Sequence, residues 1–169
     1  PGFADVIQGP WLMDQMKEQA KAVGTEMIQD HIQSVNLKST PFEAVEPLVK
    51  HLPREFGFVE PCAGDGALCG HLEWYGGVCM WASDIEPHRK DIWVYDYKDV
   101  GYDELRESEY IITNPPWDRK LLHPMIDFFT SKRKTWLLFD ADWPHTKQSK
   151  NYISMCSKIV SVGRIKWFG

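Results

Sequence analysis

The sequence lacks a long apolar run, a Cys-x-x-Cys pair and a basic-then-apolar leader at its beginning. The first and third absences disfavour a membrane span and a secretory signal, so we expect a cytoplasmic protein with no membrane partner. The four cysteines, Cys62, Cys69, Cys79 and Cys156, have a spacing that matches no common zinc pattern. We therefore expect reduced thiols and no metal site, with a zinc site from the first three cysteines and His71 as the alternative.

The composition is typical of one folded domain. The 169 residues are 43% hydrophobic and 13% aromatic, which excludes a disordered chain and allows a sizeable core. The net charge of −5 is unevenly divided, because residues 1–112 carry −11 and residues 113–169 carry +6. A basic half favours a polyanionic partner, and a solvated lysine-rich surface is the alternative.

The apolar periodicity predicts an α/β fold. Residues 1–39 have helical spacing and form a predicted N-terminal helical extension, which packs on the core or binds a partner. Residues 40–169 contain short strands that alternate with helices at first, so we expect a doubly wound sheet with helices on both faces. The seven predicted strands are 56–60, 78–82, 92–95, 110–113, 135–139, 159–162 and 164–168, and the main predicted helices are 41–52, 67–75, 102–107 and 121–129.

A glycine-containing turn, Pro61-Cys62-Ala63-Gly64-Asp65-Gly66, follows the first predicted strand of this domain and precedes a helix. This arrangement brings backbone N–H groups close to a ligand. The turn lacks both the G-x-G-x-x-G fingerprint and the Lys-Ser/Thr of a phosphate loop. Because Glu60 and Asp65 flank it, it disfavours a pyrophosphate and suits a cationic or hydroxyl-rich ligand. An ordinary strand-to-helix turn is the alternative.

Two more acids follow predicted strands. Asp84 lies about 20 residues beyond the glycine turn, where nucleoside-binding sheets carry the acid that contacts ribose hydroxyls. Ile85 beside it could pack on a base. Asp96, followed by Tyr97, could accept a hydrogen bond from an exocyclic amine. For either acid alone, a solvated turn carboxylate is the alternative.

The fourth predicted strand of this domain ends in Asn114-Pro115-Pro116-Trp117. Each proline fixes φ and removes a backbone N–H, so the turn is rigid. It holds an amide and a flat ring at the carboxyl end of a strand, where open α/β sheets bind ligands. The alternative is a strand-ending turn in which Trp117 is one more packed aromatic.

Together these segments resemble the S-adenosylmethionine-dependent amino-methyltransferases, specifically a small, phage-like type of the DNA adenine-N6 group. Residues 58–66 resemble the cofactor loop of that family, Asn114-Pro115-Pro116-Trp117 its catalytic tetrapeptide, and Thr40-Pro41 its upstream cofactor motif. The resemblance implies a Rossmann-like, seven-stranded class I methyltransferase sheet over residues 40–169.

The resemblance also implies methyl transfer from S-adenosylmethionine to the N6 amine of adenine in DNA, with little or short sequence specificity. Asn114 and Pro115 would accept hydrogen bonds from the target amine, and Trp117 would stack on a base rotated out of the duplex. The residues implied around the cofactor are Thr40, Pro41, Glu60, Pro61, Cys62, Ala63, Gly64, Asp65, Gly66, Asp84, Ile85, Asp96, Tyr97 and Asn114.

Other substrates share the tetrapeptide: adenine in RNA, cytosine N4 and protein glutamine amides. A non-catalytic methyltransferase-like subunit is a further alternative. The basic half favours a nucleic acid, and the resemblance favours DNA over RNA, while a protein partner or a homodimer could use the N-terminal helices. The residues expected to bind phosphates are Arg119, Lys120, Lys132, Arg133, Lys134, Lys147, Arg164 and Lys166.

Overall fold

The computed structural model describes residues 9–22, 26–28 and 42–163. The helices are α1 (Gly9–Ala22), α2 (Phe42–Val49), α3 (Ala67–Trp74), α4 (Tyr102–Leu105), α5 (Arg119–Lys132) and α6 (Lys150–Ile153). The strands are β1 (Glu26–Ile28), β2 (Phe56–Glu60), β3 (Gly77–Asp84), β4 (Trp93–Val94), β5 (Tyr110–Thr113), β6 (Lys134–Leu137) and β7 (Lys158–Val160). Single 3₁₀ turns cover Tyr97–Asp99 and Trp143–His145.

Five of these strands form one parallel sheet in the order β4-β3-β2-β5-β6. The chain moves outward from β2 to β3 and β4, and then returns to the other side of β2 as β5. In open α/β sheets, the loops that leave the carboxyl ends of two such strands diverge, and ligands bind in the crevice between them. The fold places both the glycine turn and Asn114 at this point.

The two central strands are apolar on both sides because each side meets helices. Phe58 of β2 and Ile112 of β5 belong to a core with α2 and α3. Their neighbours Val59 and Ile111 face the opposite way and pack with Leu105 of α4 and with side chains of α5. Since successive residues of a strand point to opposite faces, this alternation produces the doubly wound architecture. The predicted α/β fold with helices on both faces is confirmed.

The predicted seven-stranded sheet is wrong. Lys158–Val160 does form a strand close to the predicted position, but it pairs in parallel with β1 in a separate two-stranded sheet. Residues 26–28, predicted to be helical, are the other strand of that pair. A short apolar run is compatible with either structure, and the distant partner that decides it cannot be read from local spacing. The last predicted strand, 164–168, lies outside the described residues.

Helix α1 agrees with the predicted helical start of the chain. The proposed division into 1–39 and 40–169 stays a prediction, because residues 1–8, 23–25 and 29–41 lie outside the described part. No helix in the described ranges is both long and apolar enough to cross a bilayer. A cytoplasmic location also stays a prediction.

Candidate functional site

The glycine turn is fastened to the carboxyl end of β3 by backbone hydrogen bonds. The Ala63 N–H donates to the Ser83 carbonyl at 2.9 Å, and the His88 N–H donates to the Gly64 carbonyl at 2.9 Å. Within the turn, the Gly66 N–H donates to the Ala63 carbonyl at 2.7 Å. The turn thus has a fixed position between β2, β3 and the start of α3.

Both glycines of the turn have left-handed backbone conformations, with φ of +54° at Gly64 and +74° at Gly66. A side chain is strained in that region, which explains why glycine occupies these positions. A Cβ atom at Gly64 would meet nothing within 4 Å, whereas one at Gly66 would lie 3.0 Å from the Arg89 guanidinium. The Gly64 backbone therefore faces open space into which a ligand could approach.

Asp84, the last residue of β3, joins that strand to the turn. Its Oδ2 accepts from the Gly64 N–H at 2.8 Å, and its Oδ1 accepts from the Glu86 N–H at 2.9 Å. The carboxylate is partly exposed, and each oxygen has a second lone pair free to accept another donor. The predicted strand ended at residue 82, and β3 extends to Asp84 itself.

Glu60 ends β2 and is only 1% exposed. Burial raises the pKa of its carboxyl to about 8, against smaller opposing contributions from Cys69 and the Asn114 backbone. The Cys69 thiol lies 3.5 Å from Glu60 Oε2. The residue expected to surround a ligand as a carboxylate is thus a buried acid that is mostly neutral at pH 7.

The tetrapeptide lies directly after β5. The Asn114 Oδ1 atom is buried and has no hydrogen-bond partner within residues 9–22, 26–28 and 42–163. Pro115 is buried and Pro116 is exposed. Trp117 is 41% exposed, and its indole N–H donates to the Leu138 carbonyl at 3.3 Å, just beyond β6. The amide oxygen is therefore an unused acceptor, and the tryptophan ring is partly open to solvent.

The remaining predicted ligand contacts are dispersed. Ile85 is 73% exposed beside Asp84. The Asp96 side chain accepts from the Lys98 N–H and so caps the turn that follows β4.

Tyr97 is buried in the core, where its ring makes edge contacts with Phe128 and Phe129. The placement of Tyr97 against a ligand's ring stays a prediction. Pro61 and Cys62 are the first two residues of the turn, and burial raises the pKa of the Cys62 thiol to about 12. Thr40 and Pro41 lie outside the described residues.

The predicted phosphate-binding residues differ in their surroundings. Arg119 and Lys120 begin α5 and are exposed, as are Lys134 and Lys147. Lys132 lies over the Phe128 ring. The Arg133 guanidinium instead donates to the backbone carbonyls of Leu105, Ser108 and Lys132, so it fastens α4 to α5. Arg164 and Lys166 lie outside the described part, and nucleic-acid binding stays a prediction.

The structure reveals a second group, which the sequence indicated only as part of the alternative zinc site. Cys69 of α3 and Cys79 of β3 bring their sulfur atoms to 3.7 Å from each other. They line a cleft of about 260 Å³ that also includes Gly66 and Arg89. In the described ranges, no cluster of three or more metal-ligating side chains is present. The two cysteines are ten positions apart in the sequence, and the packing of α3 on β3 brings them together.

Comparisons with known proteins give short matches only. The chain is similar to the thioredoxin reductase of Rickettsia felis, with 58% identity over 43 residues, and to that of Rickettsia prowazekii, with 60% over 43 residues. The thioredoxin reductase of Vibrio cholerae is 52% identical over 42 residues. Each match covers 25% of this chain, which spans about a seventh of the length of these curated relatives. No family model and no solved structure matches the chain.

These relatives contradict the methyltransferase prediction. The relatives are named as redox enzymes, so the predicted methyltransferase family is wrong. The predicted methyl transfer to DNA is wrong for the same reason, as are its alternatives: RNA, cytosine N4, protein glutamine and a non-catalytic subunit. S-adenosylmethionine is also the wrong cofactor. The physical reason lies in what the motifs encode. A glycine turn, a strand-end acid and a rigid Asn-Pro-Pro turn specify a place where a ligand can bind, and one such fold supports many chemistries.

Proposed function

We propose that the chain binds a ribonucleoside in the crevice at the carboxyl edge of its sheet, with Asp84 accepting hydrogen bonds from the ribose hydroxyls. The observation that carries this proposal is the 2.8 Å hydrogen bond from the Gly64 N–H to Asp84 Oδ2. It fixes a partly exposed carboxylate beside a turn whose backbone faces open space. Vicinal hydroxyls are donors that a preoriented carboxylate binds well.

The turn argues against a phosphate next to it. The Ala67 N–H at the start of α3, which a phosphate would use, already donates to Asp65 Oδ1 at 3.0 Å. The Asp65 side chain is also exposed, so its charge would oppose an incoming anion. We therefore infer that the ligand presents its sugar, and not a pyrophosphate, to the turn.

Asn114 supports the same proposal from the other side of the crevice. Buried acceptors normally have a donor, and Asn114 Oδ1 has none among the residues that the structure describes. An N–H group of the ligand would satisfy it. Because β2 and β5 are parallel neighbours in the sheet, Asn114 and the glycine turn lie at neighbouring strand ends.

The test is isothermal titration of the full chain with adenosine, guanosine, cytidine and uridine, followed by the 2′-deoxy and 3′-deoxy forms of the best ligand. Loss of one hydrogen bond to a charged group costs roughly 1.5–3 kcal/mol, so a deoxy form should bind about 10- to 150-fold more weakly. Adding a 5′-phosphate should not improve the affinity.

Asp84→Asn is the matching variant, because its amide oxygen can still accept from the Gly64 N–H and so hold the turn, while its NH2 group cannot accept from the Glu86 N–H as Oδ1 does. It should lose most of the discrimination between ribose and deoxyribose, while Asp103→Asn, an exposed acid on α4, should keep it. Equal binding of the ribo and deoxy forms by the unmodified chain would overturn the proposal, as would the absence of binding by all four nucleosides.

The similarity to thioredoxin reductases favours a second candidate function, in which the chain contributes to reduction of thioredoxin. The supporting observation is the identity of 51–60% that five Rickettsia relatives reach over 43 residues. Thioredoxin reduction by the purified chain, with NADPH as electron donor, is the direct test. Turnover above a chain-free control would support this candidate, and a rate equal to that control would count against it.

A further inference from the structure

Cys69 and Cys79 form a close pair of thiols that the ribonucleoside proposal does not use. Cys69 lies in the first half of α3, and Cys79 lies in β3, on which that helix packs. Their sulfur atoms are 3.7 Å apart, and neither cysteine is in a disulfide. A disulfide has an S–S distance of about 2.05 Å, so bond formation requires the two sulfur atoms to approach each other by about 1.65 Å.

The two thiols differ in accessibility and in acidity. Cys69 is 8% exposed, while Cys79 is half-buried. The hydrogen bond with Cys69 lowers the pKa of the Cys79 thiol, whereas the same contact together with burial raises the pKa of Cys69. A thiolate is the reactive form of cysteine. Cys79 is therefore suited to attack first, and Cys69 to hold its proton until later.

A cleft leads from the surface to both sulfur atoms. It has a volume of about 260 Å³, and its charged residues are Glu73, Arg89 and Asp91. Arg89 forms an ion pair with Asp91, which leaves Glu73 as the uncompensated charge among them. A small disulfide that is neutral or cationic therefore suits this cleft better than an anionic one.

We propose that Cys69 and Cys79 are a reversible dithiol–disulfide pair that exchanges with a small neutral or cationic disulfide entering this cleft. In the first step, the Cys79 thiolate attacks one sulfur of the external disulfide. A mixed disulfide forms on Cys79, and one thiolate leaves and takes up a proton from water. In the second step, the Cys69 sulfur attacks Cys79 Sγ, the internal disulfide forms, and the second thiol leaves.

In the second step, the proton of the Cys69 thiol passes to the departing thiolate, so the second thiol leaves neutral. Glu60 Oε2 lies 3.5 Å from Cys69 Sγ, and this contact holds the Cys69 side chain in place. The external disulfide is reduced to two thiols, and the two cysteines are oxidised by the same two electrons. No further oxidant is required.

The experiment uses the full chain with cystamine, a cationic disulfide, and with glutathione disulfide, which is anionic. Samples are quenched with an alkylating reagent over time and digested with a protease that cleaves after glutamate. Cleavage after Glu73 separates Cys69 from Cys79, which a tryptic digest would leave in one peptide. We expect a Cys69–Cys79 cross-link that forms at least tenfold faster with cystamine, and that dithiothreitol reverses.

Single variants separate the steps. Cys69→Ser should stop at a cysteamine adduct on Cys79, and Cys79→Ser should slow the reaction of Cys69 at least tenfold. Cys156→Ser, a half-buried cysteine elsewhere in the chain, is the matched control and should react like the unmodified protein. Adducts on Cys62 or Cys156 at the same rate, or a Cys79 adduct that persists while Cys69 is present, would overturn the proposal. Nucleoside affinity is measured separately, so the two proposals can fail independently.

Discussion

The buried carboxyl of Glu60 makes the stability of this protein depend on pH in an unusual direction. Its pKa is about 8 in the folded chain, against an ordinary value of 4.5, chiefly because it is buried. Between these two pH values the folded state holds a proton that the unfolded state has released. The free energy of unfolding therefore falls as the pH rises, by up to about 1.4 kcal/mol per pH unit for this group.

Glu60→Gln removes this dependence while it preserves the shape of the side chain. Integrating the two pKa values from pH 5 to pH 7.5 gives a loss of about 3 kcal/mol in the unmodified protein that the variant does not share. The advantage from Glu60 is fully present below its unfolded pKa and disappears as the pH rises through 8. The variant should thus gain about 3 kcal/mol relative to the unmodified protein across this interval.

Urea unfolding at half-unit pH steps from 5 to 7.5, monitored by tryptophan fluorescence, measures the difference. All other carboxyl groups are common to both proteins, so subtracting the two curves isolates Glu60. Glu46→Gln, an exposed acid on α2, is the control, and its curve should parallel that of the unmodified protein. A difference between the Glu60→Gln and unmodified curves that stays constant within about 0.5 kcal/mol would refute the assignment of a buried, protonated carboxyl.

Two further predictions concern stability away from the site. Gly76 has a φ of +95°, and a Cβ added there would lie 2.5 Å from the Arg54 carbonyl oxygen. Gly76→Ala should therefore destabilise the fold by roughly 1–3 kcal/mol. Gly70 lies in α3 with open space around it, so Gly70→Ala should stabilise the fold by about 0.5–1 kcal/mol. Thermal melts of the two variants should shift in opposite directions, and a shared direction would contradict this reasoning. Arg133→Lys should lower the free energy of unfolding by about 1–3 kcal/mol, because it loses the hydrogen bonds to the Leu105 and Ser108 carbonyls at 3.2 Å. The control Lys147→Ala should change the free energy of unfolding in urea by less than about 0.5 kcal/mol. A loss at Arg133 no larger than that at Lys147 would show that the two carbonyls do not need this side chain.

Local patterns predicted the elements that carry their own signals. The predicted strands at 56–60 and 110–113 agree with β2 and β5, and the helix predicted at 67–75 agrees with α3. Each has a continuous apolar run or a glycine boundary, and the strands are buried on both faces. The two-stranded pair of β1 and β7 has no such signal, because its existence depends on a contact between residues more than 120 positions apart.

The residues of the candidate site also differ in whether local sequence features indicate them. Gly64 and Asp84 were identifiable because a turn and a strand end are local features, and their hydrogen bond follows from the parallel neighbours β2 and β3. The cysteine pair was not identifiable. It depends on the register that sets Cys79 beside Phe58 and on the helix face that brings Cys69 over that position. Neither the strand register nor the orientation of the helix face can be read from sequence spacing.

The burial of Glu60 also changes the chemical meaning of the acidic turn. The sequence suggests two carboxylates around the ligand, which would favour a cation. At neutral pH the raised pKa of Glu60 keeps that group mostly uncharged, and its near-complete burial removes it from the ligand's surface. Asp65 is then the one charge on the turn itself, and its Oδ1 accepts from the Ala67 N–H at the start of α3. Recognition is left to the Asp84 oxygens and the unused Asn114 acceptor, which are better suited to hydroxyl and N–H donors than to a net charge.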